Sequence, residues 1–370
     1  MYRLKCPKCL KIYNFLFSIK LMKITIFNLP HLSFNRGGER WIIKVASYLS
    51  KKHDVKVITT DFNKKYDLNN LDFDYIVIKH KKKYGLLHDI CEIKNYLKDV
   101  DITYAFYVWF GTQIDILKYS NKVIFGHHSL LDKPIQRIYY SLLENIIARK
   151  IKDSYHHFLT EYRANLYRKK GFKKIFVIPN FIELNKYKPK EKNYDKFKII
   201  CPGVVNIEKG IDILIKVAEN LKKYNDIEFY IAGNKPIYEN LPSNIKYLGL
   251  LNEEKYINII SDKNLMFLPT KIEAFSFAVL ENLAVGNPVV VSNLPDVISA
   301  FGELESIYYA KLNNIEDYIN GILKYYQIWK NNIDNYKELS KKAREIASKF
   351  DSNIILTKIK EMFKKVYESL

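Results

Sequence analysis

The sequence predicts an α/β protein made of two doubly wound domains with a cleft between them. Short apolar runs alternate with helical stretches twice along the chain, the pattern of strand–helix–strand units. A polar Lys/Pro/Asn segment at residues 185–194 separates the two series. The chain has 370 residues, more than one hydrophobic core ordinarily supports.

Before the polar segment, strands are predicted over residues 23–29, 55–60, 75–78, 102–107, 123–126, 156–160 and 176–179, with helices over 39–51 and 135–151. After it, strands are predicted over 198–202, 228–232, 245–248, 265–268, 288–291 and 306–309, with helices over 210–224, 253–260 and 277–285. A last amphipathic helix covers 353–370. Residues 1–21 read as an extension ahead of a start-like Met22.

Hydrophobic residues make up 48% of the chain, enough for packed cores, and no stretch of eighteen uncharged apolar residues offers a spanning helix. Residues 12–19 are apolar but lack a small-residue cleavage site, which argues against a signal peptide. The four cysteines are Cys6, Cys9, Cys91 and Cys201. Cys6-Pro7-Lys8-Cys9 is half a zinc knuckle without a second ligand pair, so no metal is expected there. Sparse cysteines fit the cytoplasm.

The +20 net charge is unevenly spread. Residues 1–180 hold 33 Lys and Arg against 15 Asp and Glu, whereas residues 181–370 hold 27 against 25. A basic half beside a neutral one points to an anionic partner of the first half. The clusters Lys81-Lys82-Lys83, Arg168-Lys169-Lys170 and Lys173-Lys174 would face anionic lipid headgroups or nucleic acid, or form an ordinary solvated surface.

The segment 269–292 is the most informative about chemistry. It follows an apolar strand, delivers Glu273 in a loop, opens an apolar helix at Phe277 and returns to a second apolar strand. Parallel units bind ligands at the carboxyl ends of their strands, and a helix N-terminus there suits a phosphate. Glu281 lies two turns further along that helix, between apolar neighbours where an unpaired carboxylate is costly. Two such carboxylates suit a ligand rich in hydroxyls. A solvated helix glutamate and a helix-start acid are the bland alternatives. Upstream, Gly37 and Gly38 open a helix after the first strand, where glycines let the backbone approach a ligand. Asp72-Phe73-Asp74 precedes a strand and reads as a loop rather than a metal motif.

These residues resemble family 4 glycosyltransferases. Glu273-Ala274-Phe275-Ser276 with Leu280-Glu281-Asn282 is similar to the family's Glu-x7-Glu signature, with small residues in both glycine slots. Gly37-Gly38-Glu39-Arg40 resembles the Gly-Gly-Ala-Glu-Arg opening with one residue deleted, and Pro179-Asn180-Phe181-Ile182-Glu183 resembles the Pro-Asn-Gly-Val-Asp crossover. Pro202–Gly210 resembles Gly-Arg-x4-Lys-Gly, with Lys209 in the phosphate-binding lysine slot and Val204 in place of the companion arginine.

The resemblance implies a retaining enzyme of GT-B fold: residues 22–185 a Rossmann-like acceptor-side domain, 190–350 a Rossmann-like nucleotide-sugar-binding domain, and 351–370 a helix packing back on the first. It implies a nucleoside-diphosphate-sugar donor, a glycan or lipid-linked acceptor, and no metal or other cofactor. Lys209 would neutralise the diphosphate, with Lys235 a candidate second cation. Glu273 would hold sugar hydroxyls, the amides around Phe275, Ser276 and Phe277 the sugar and phosphate, and Glu281 the ribose diol. Gly37 and Gly38 would floor the cleft, and His127, with His128 in reserve, would contact the sugar. The expected location is cytoplasmic, with a peripheral seat on the inner membrane face through the basic half. A sugar-nucleotide epimerase and a basic nucleic-acid-binding protein are the alternatives, and the latter leaves Glu273 and Glu281 unexplained.

Overall fold

The computed structural model describes residues 21–28, 37–59, 71–78, 80–83, 87–90, 93–107, 110–128, 149–192 and 195–369. The Cys6/Cys9 pair, Cys91, Asn35-Arg36 and most of the helix predicted over 135–151 lie outside them.

Through residue 177 the order is β1 (Lys23–Asn28), α1 (Gly37–Ser50), β2 (Asp54–Thr59), β3 (Asp74–Val77), β4 (His80–Lys83), β5 (Leu87–Ile90), α2 (Ile93–Leu97), β6 (Ile102–Tyr107), α3 (Phe110–Tyr119), β7 (Val123–His127), β8 (Tyr155–Phe158), α4 (Glu161–Arg168) and β9 (Ile175–Val177). There follow β10 (Phe197–Pro202), α5 (Ile211–Leu221), β11 (Ile227–Ala232), β12 (Ile245–Tyr247), α6 (Glu253–Ser261), β13 (Leu265–Leu268), α7 (Phe277–Ala284), β14 (Val289–Ser292), α8 (Pro295–Phe301), β15 (Ile307–Ala310), α9 (Ile315–Asn331), α10 (Ile333–Ser348) and α11 (Ser352–Glu368).

One sheet runs β3-β2-β1-β6-β7-β8-β9 and a second runs β12-β11-β10-β13-β14-β15. The strand pairings described within them are parallel. The chain divides into two compact units, Met1–Gly126 with Lys360–Leu370, and His127–Ile359.

In the first unit β1 is buried at five of its six positions. Trp41, Ile42, Val45, Ala46 and Leu49 form the buried stripe of α1, the spacing of one helix face. Trp41 stacks on Tyr104 at 5.3 Å between ring centroids, and Tyr104 meets Phe363 of α11 at 5.8 Å. Lys122 Nζ donates to the carbonyls of Tyr367 (2.7 Å) and Ser369 (2.5 Å). Asp72 accepts a hydrogen bond from Ser47 Oγ at 2.9 Å, just ahead of β3.

In the second unit β13 and β14 are buried at every position, as a sheet covered on both faces requires. The strand order is that of a doubly wound sheet, and its direction of travel reverses between β10 and β13. The loops after these two strands touch at Gly210, which caps α5 with φ +82°. A Cβ at that position would stand 2.1 Å from the Pro269 carbonyl oxygen. Backbone conformation and close approach both demand glycine there.

Three differences from the predicted elements stand out. Strand β7 continues through His127, so that histidine ends the strand instead of following it. The lysine run 81–83 lies in the antiparallel hairpin β4–β5. Helices α2, α3, α4, α8, α9 and α10 have no counterpart among the predicted elements.

Gly210→Ala combines a left-handed backbone with a clash against Pro269, so it should lower stability by about 3 kcal/mol. Gly203 has φ +67° but open space around it, and Gly203→Ala should cost only about 1 kcal/mol. Urea midpoints of the two variants measure the difference, and equal losses would refute the close-approach account.

Candidate active site

The loop after β10 carries Lys209 and the loop after β13 carries Glu273, on adjacent strands where the second sheet reverses. Lys209 Nζ lies 3.1 Å from Glu273 Oε2, and both residues are half-buried. Asn206 Oδ1 accepts from the Lys209 amide at 2.9 Å. The Lys271 amide donates to the Glu208 carbonyl at 2.9 Å, stitching one loop to the other. Lys271 Nζ pairs with Asp212 Oδ2 at 2.9 Å. Two lysines on two interlocked loops make this end of the sheet a place where an anion finds fixed positive charge.

Helix α7 begins beside Glu273. Ser276 caps it, its hydroxyl accepting from the Val279 amide at 3.3 Å. Phe275 is buried against Phe301 (5.1 Å) and Phe350 (5.8 Å), which fixes the turn into the helix. Phe277 is half-buried and meets Phe275 edge-on. The first-turn amides have no carbonyl a turn earlier within the helix and are directed out of its N-terminus.

Glu281 is only 4% exposed, and its Oε1 accepts from the Tyr187 hydroxyl at 3.1 Å. Tyr187 supplies the partner that the apolar neighbours in sequence could not. Arg344 holds the segment in place by donating to the carbonyls of Tyr187 and Ala284.

Lys235 pairs with Glu239 at 3.0 Å, both side chains at least three-quarters exposed. An exposed pair of this kind contributes little to stability. Val204 is fully buried within the core of the second unit. Gly37 and Gly38 are the first two residues of α1, in the first unit.

His127 belongs to a cluster with His128, His156 and His157. Its Nε2 is 3.0 Å from His156 Nδ1, and His156 Nε2 is 3.0 Å from the Ile151 carbonyl oxygen. His157 Nε2 is 2.8 Å from the Ile178 carbonyl oxygen. The His128 and His157 rings meet edge-on at 5.1 Å. Burial pushes His156 and His157 from 6.5 down to about 4, opposed by their hydrogen bonds to the carbonyls. Burial, reinforced by neighbouring histidines, holds His127 and His128 well below the ordinary range. Among the described residues, no group of three or more His, Cys, Asp or Glu is placed to hold a metal ion.

The structure brings the predicted residues Lys209 and Glu273 together, and sets Glu281 against Tyr187 and His127 against His156; Lys271, Tyr187 and His156 are not among the residues singled out from the sequence. A second His-His pair at 156–157 was visible; nothing local marked Lys271 or Tyr187.

Residues 184–346 match the family described as glycosyl transferases group 1. The chain is 26% identical over 208 residues to an alpha-galactosylglucosyldiacylglycerol synthase of Streptococcus pneumoniae, a match covering 50% of this chain and about half, 53%, of that protein. It is 24% identical over 303 residues to the O-antigen biosynthesis glycosyltransferase WclY of Escherichia coli, covering 71% and 78%. Among solved structures it resembles a glycosyltransferase from Rickettsia africae, with TM-score 0.76, 18% identity and coverage of 95% and 100%. Anabaena HepE in complex with UDP and glucose superposes with TM-score 0.75, 15% identity and coverage of 93% and 99%. The likeness to these solved structures shows that the fold is GT-B.

The histidine cluster makes stability acid-sensitive. Between pH 6.5 and about 4 the unfolded chain binds protons that native His156 and His157 refuse, so stability falls as pH drops through that window. Each ring contributes a slope approaching about 1.4 kcal/mol per pH unit. Urea unfolding at pH 7, 6 and 5 should show the decline, and His157→Asn should flatten it. An unchanged slope in that variant would remove His157 from the account.

Proposed function

We propose that the protein transfers a sugar from a nucleoside-diphosphate-sugar donor to a glycan or lipid-linked acceptor, with retention at the anomeric carbon. Residues 190–350 take the donor and residues 22–185 the acceptor. The observation that carries this proposal is the Lys209–Glu273 pair on two interlocked loops at the reversal of the second sheet. The two charges satisfy each other. A nucleotide sugar separates them, its diphosphate taking Lys209 and its sugar hydroxyls taking Glu273.

Negative charge grows on the leaving diphosphate as the glycosidic bond breaks, so fixed cations stabilise the transition state more than the ground state. Lys209 is the first such cation. Lys271, whose amide is bonded beside Lys209 and whose Nζ pairs with Asp212, and Lys235, which pairs with Glu239, are the candidates for the second. With the first-turn amides of α7, these groups carry the charge compensation, and the proposal includes no metal. Glu273 is engaged by Lys209 and is not assigned as a nucleophile; the leaving phosphate assists attack on the same face. Glu281 binds the ribose diol, and His127 contacts the sugar. The likeness to HepE, which was solved with UDP and glucose, supports a UDP-sugar as the first donor to try. The pneumococcal galactosylglucosyldiacylglycerol synthase and the E. coli O-antigen glycosyltransferase support a lipid-linked or glycan acceptor.

A panel of UDP- and GDP-sugars tests the donor assignment, since a bound ligand raises the unfolding temperature by mass action. At least one should do so, and Glu281→Gln should weaken its binding by about 1–3 kcal/mol, the worth of a charge-assisted hydrogen bond. Donor affinity within twofold of wild type would leave Glu281 as a structural partner of Tyr187.

The basic first half supports a peripheral position on an anionic membrane. No helix among the described residues is long and apolar enough to cross a bilayer. Each Lys or Arg near an anionic leaflet contributes about 1 kcal/mol, screened by salt. The full chain should sediment with anionic but not neutral vesicles at low salt and be released at high salt. Lys51→Glu with Lys52→Glu, two exposed positions, should reduce binding. Equal sedimentation with neutral vesicles would overturn the electrostatic account.

A further inference from the structure

Four of the eight histidines sit in one cluster, and their hydrogen bonds determine which ring nitrogen carries each proton. The Ile151 carbonyl oxygen can only accept, so His156 Nε2, 3.0 Å away, bears a proton. His156 is fully buried and, with its pKa pushed down to about 4, neutral near pH 7. Its Nδ1 is therefore a bare lone pair. His127 Nε2, 3.0 Å from that lone pair, must donate to it. Burial, His156, His157 and Arg163 all disfavour a charged His127, so its single proton is committed to His156. The ring is also clamped, stacked on Phe158 at 4.2 Å with an interplanar angle of 6° and flanked by Tyr167 at 4.9 Å.

We infer that His156 is a positioning residue: it locks His127 as the Nε2–H tautomer, so that His127 Nδ1 accepts a hydrogen bond from a hydroxyl of the donor sugar. This rests on the proposal that His127 contacts that sugar. The opposite tautomer would present an N–H, which pairs with an oxygen lone pair instead of an O–H. The direction of the relay thus originates at a backbone carbonyl, which has no alternative state, and is passed through His156 to the ligand.

The test uses the full chain labelled with ¹⁵N. Ring-nitrogen correlation spectra should show wild-type His127 protonated at Nε2 and bare at Nδ1. His156→Leu removes the acceptor and should mix the two tautomers. His156→Asn places an amide oxygen where Nδ1 stood, so the Nε2–H form should return. With the nucleotide sugar that gives the largest thermal shift in the panel, His156→Leu should lower kcat/KM for transfer or donor hydrolysis about tenfold, and His156→Asn should recover most of it. If His156→Leu does not fold, the wild-type spectrum and the Asn variant still decide. A wild-type His127 protonated at Nδ1, or full activity in His156→Leu with mixed tautomers, overturns the inference. A panel in which no nucleotide sugar binds overturns the donor assignment separately, while the spectra still report whether His156 sets the tautomer.

Discussion

The contact between the loop after β10 and the loop after β13 governs the candidate donor site. At position 210 the backbone of one loop lies against the Pro269 carbonyl of the other, so closely that not even a methyl group fits between them. Lys209 precedes that glycine and Glu273 follows that proline by four residues, so the contact also sets the reach of both charged side chains. The Lys271–Glu208 backbone bond repeats the tie on the other side. Loops held in this way keep the backbones that carry the two side chains fixed when a polyanionic ligand parts the pair, and positive charge on a fixed backbone is what favours departure of a phosphate leaving group.

The histidine cluster obeys a different rule. Lys209 and Glu273 are half-buried and form an ion pair, whereas His127, His128, His156 and His157 are neutral because a buried imidazolium is costly. The first group offers charge and the second offers oriented dipoles. A nucleotide sugar contains both kinds of partner, a doubly anionic diphosphate and a ring of neutral hydroxyls.

Much of this was legible in the sequence where the signal is local. Strands 102–107 and 265–268 are predicted to the residue; the second is an uninterrupted apolar run between Asn264 and Pro269, which admits few other placements. Helix α9 escapes because its buried face is built largely from Tyr318, Tyr325, Tyr326 and Trp329, whose polar tips blur the periodicity that separates inside from outside. The lysine strand 80–83 runs against β-propensity, which disfavours lysine. At the site, Lys209 and Glu273 were legible as motif positions, but their pairing joins residues 64 apart. The Tyr187–Glu281 bond spans 94 residues, and no local pattern encodes it. Apolar neighbours at 280, 283 and 284 announce that the carboxylate at 281 requires a partner, yet they carry no information about which distant side chain supplies it.

The packing of α11 on the first unit has a consequence for biosynthesis. Phe363 lies on Tyr104, and Lys122 is bonded to a carbonyl 245 positions further along the chain. Until residues 360–370 have left the ribosome, Tyr104 lacks its contact with Phe363 and Lys122 lacks its acceptors. The first unit to be translated is thus the last to be completed, and it must wait, with apolar surface uncovered, while the second unit is made. Chaperone capture during synthesis should therefore concentrate on the earlier half.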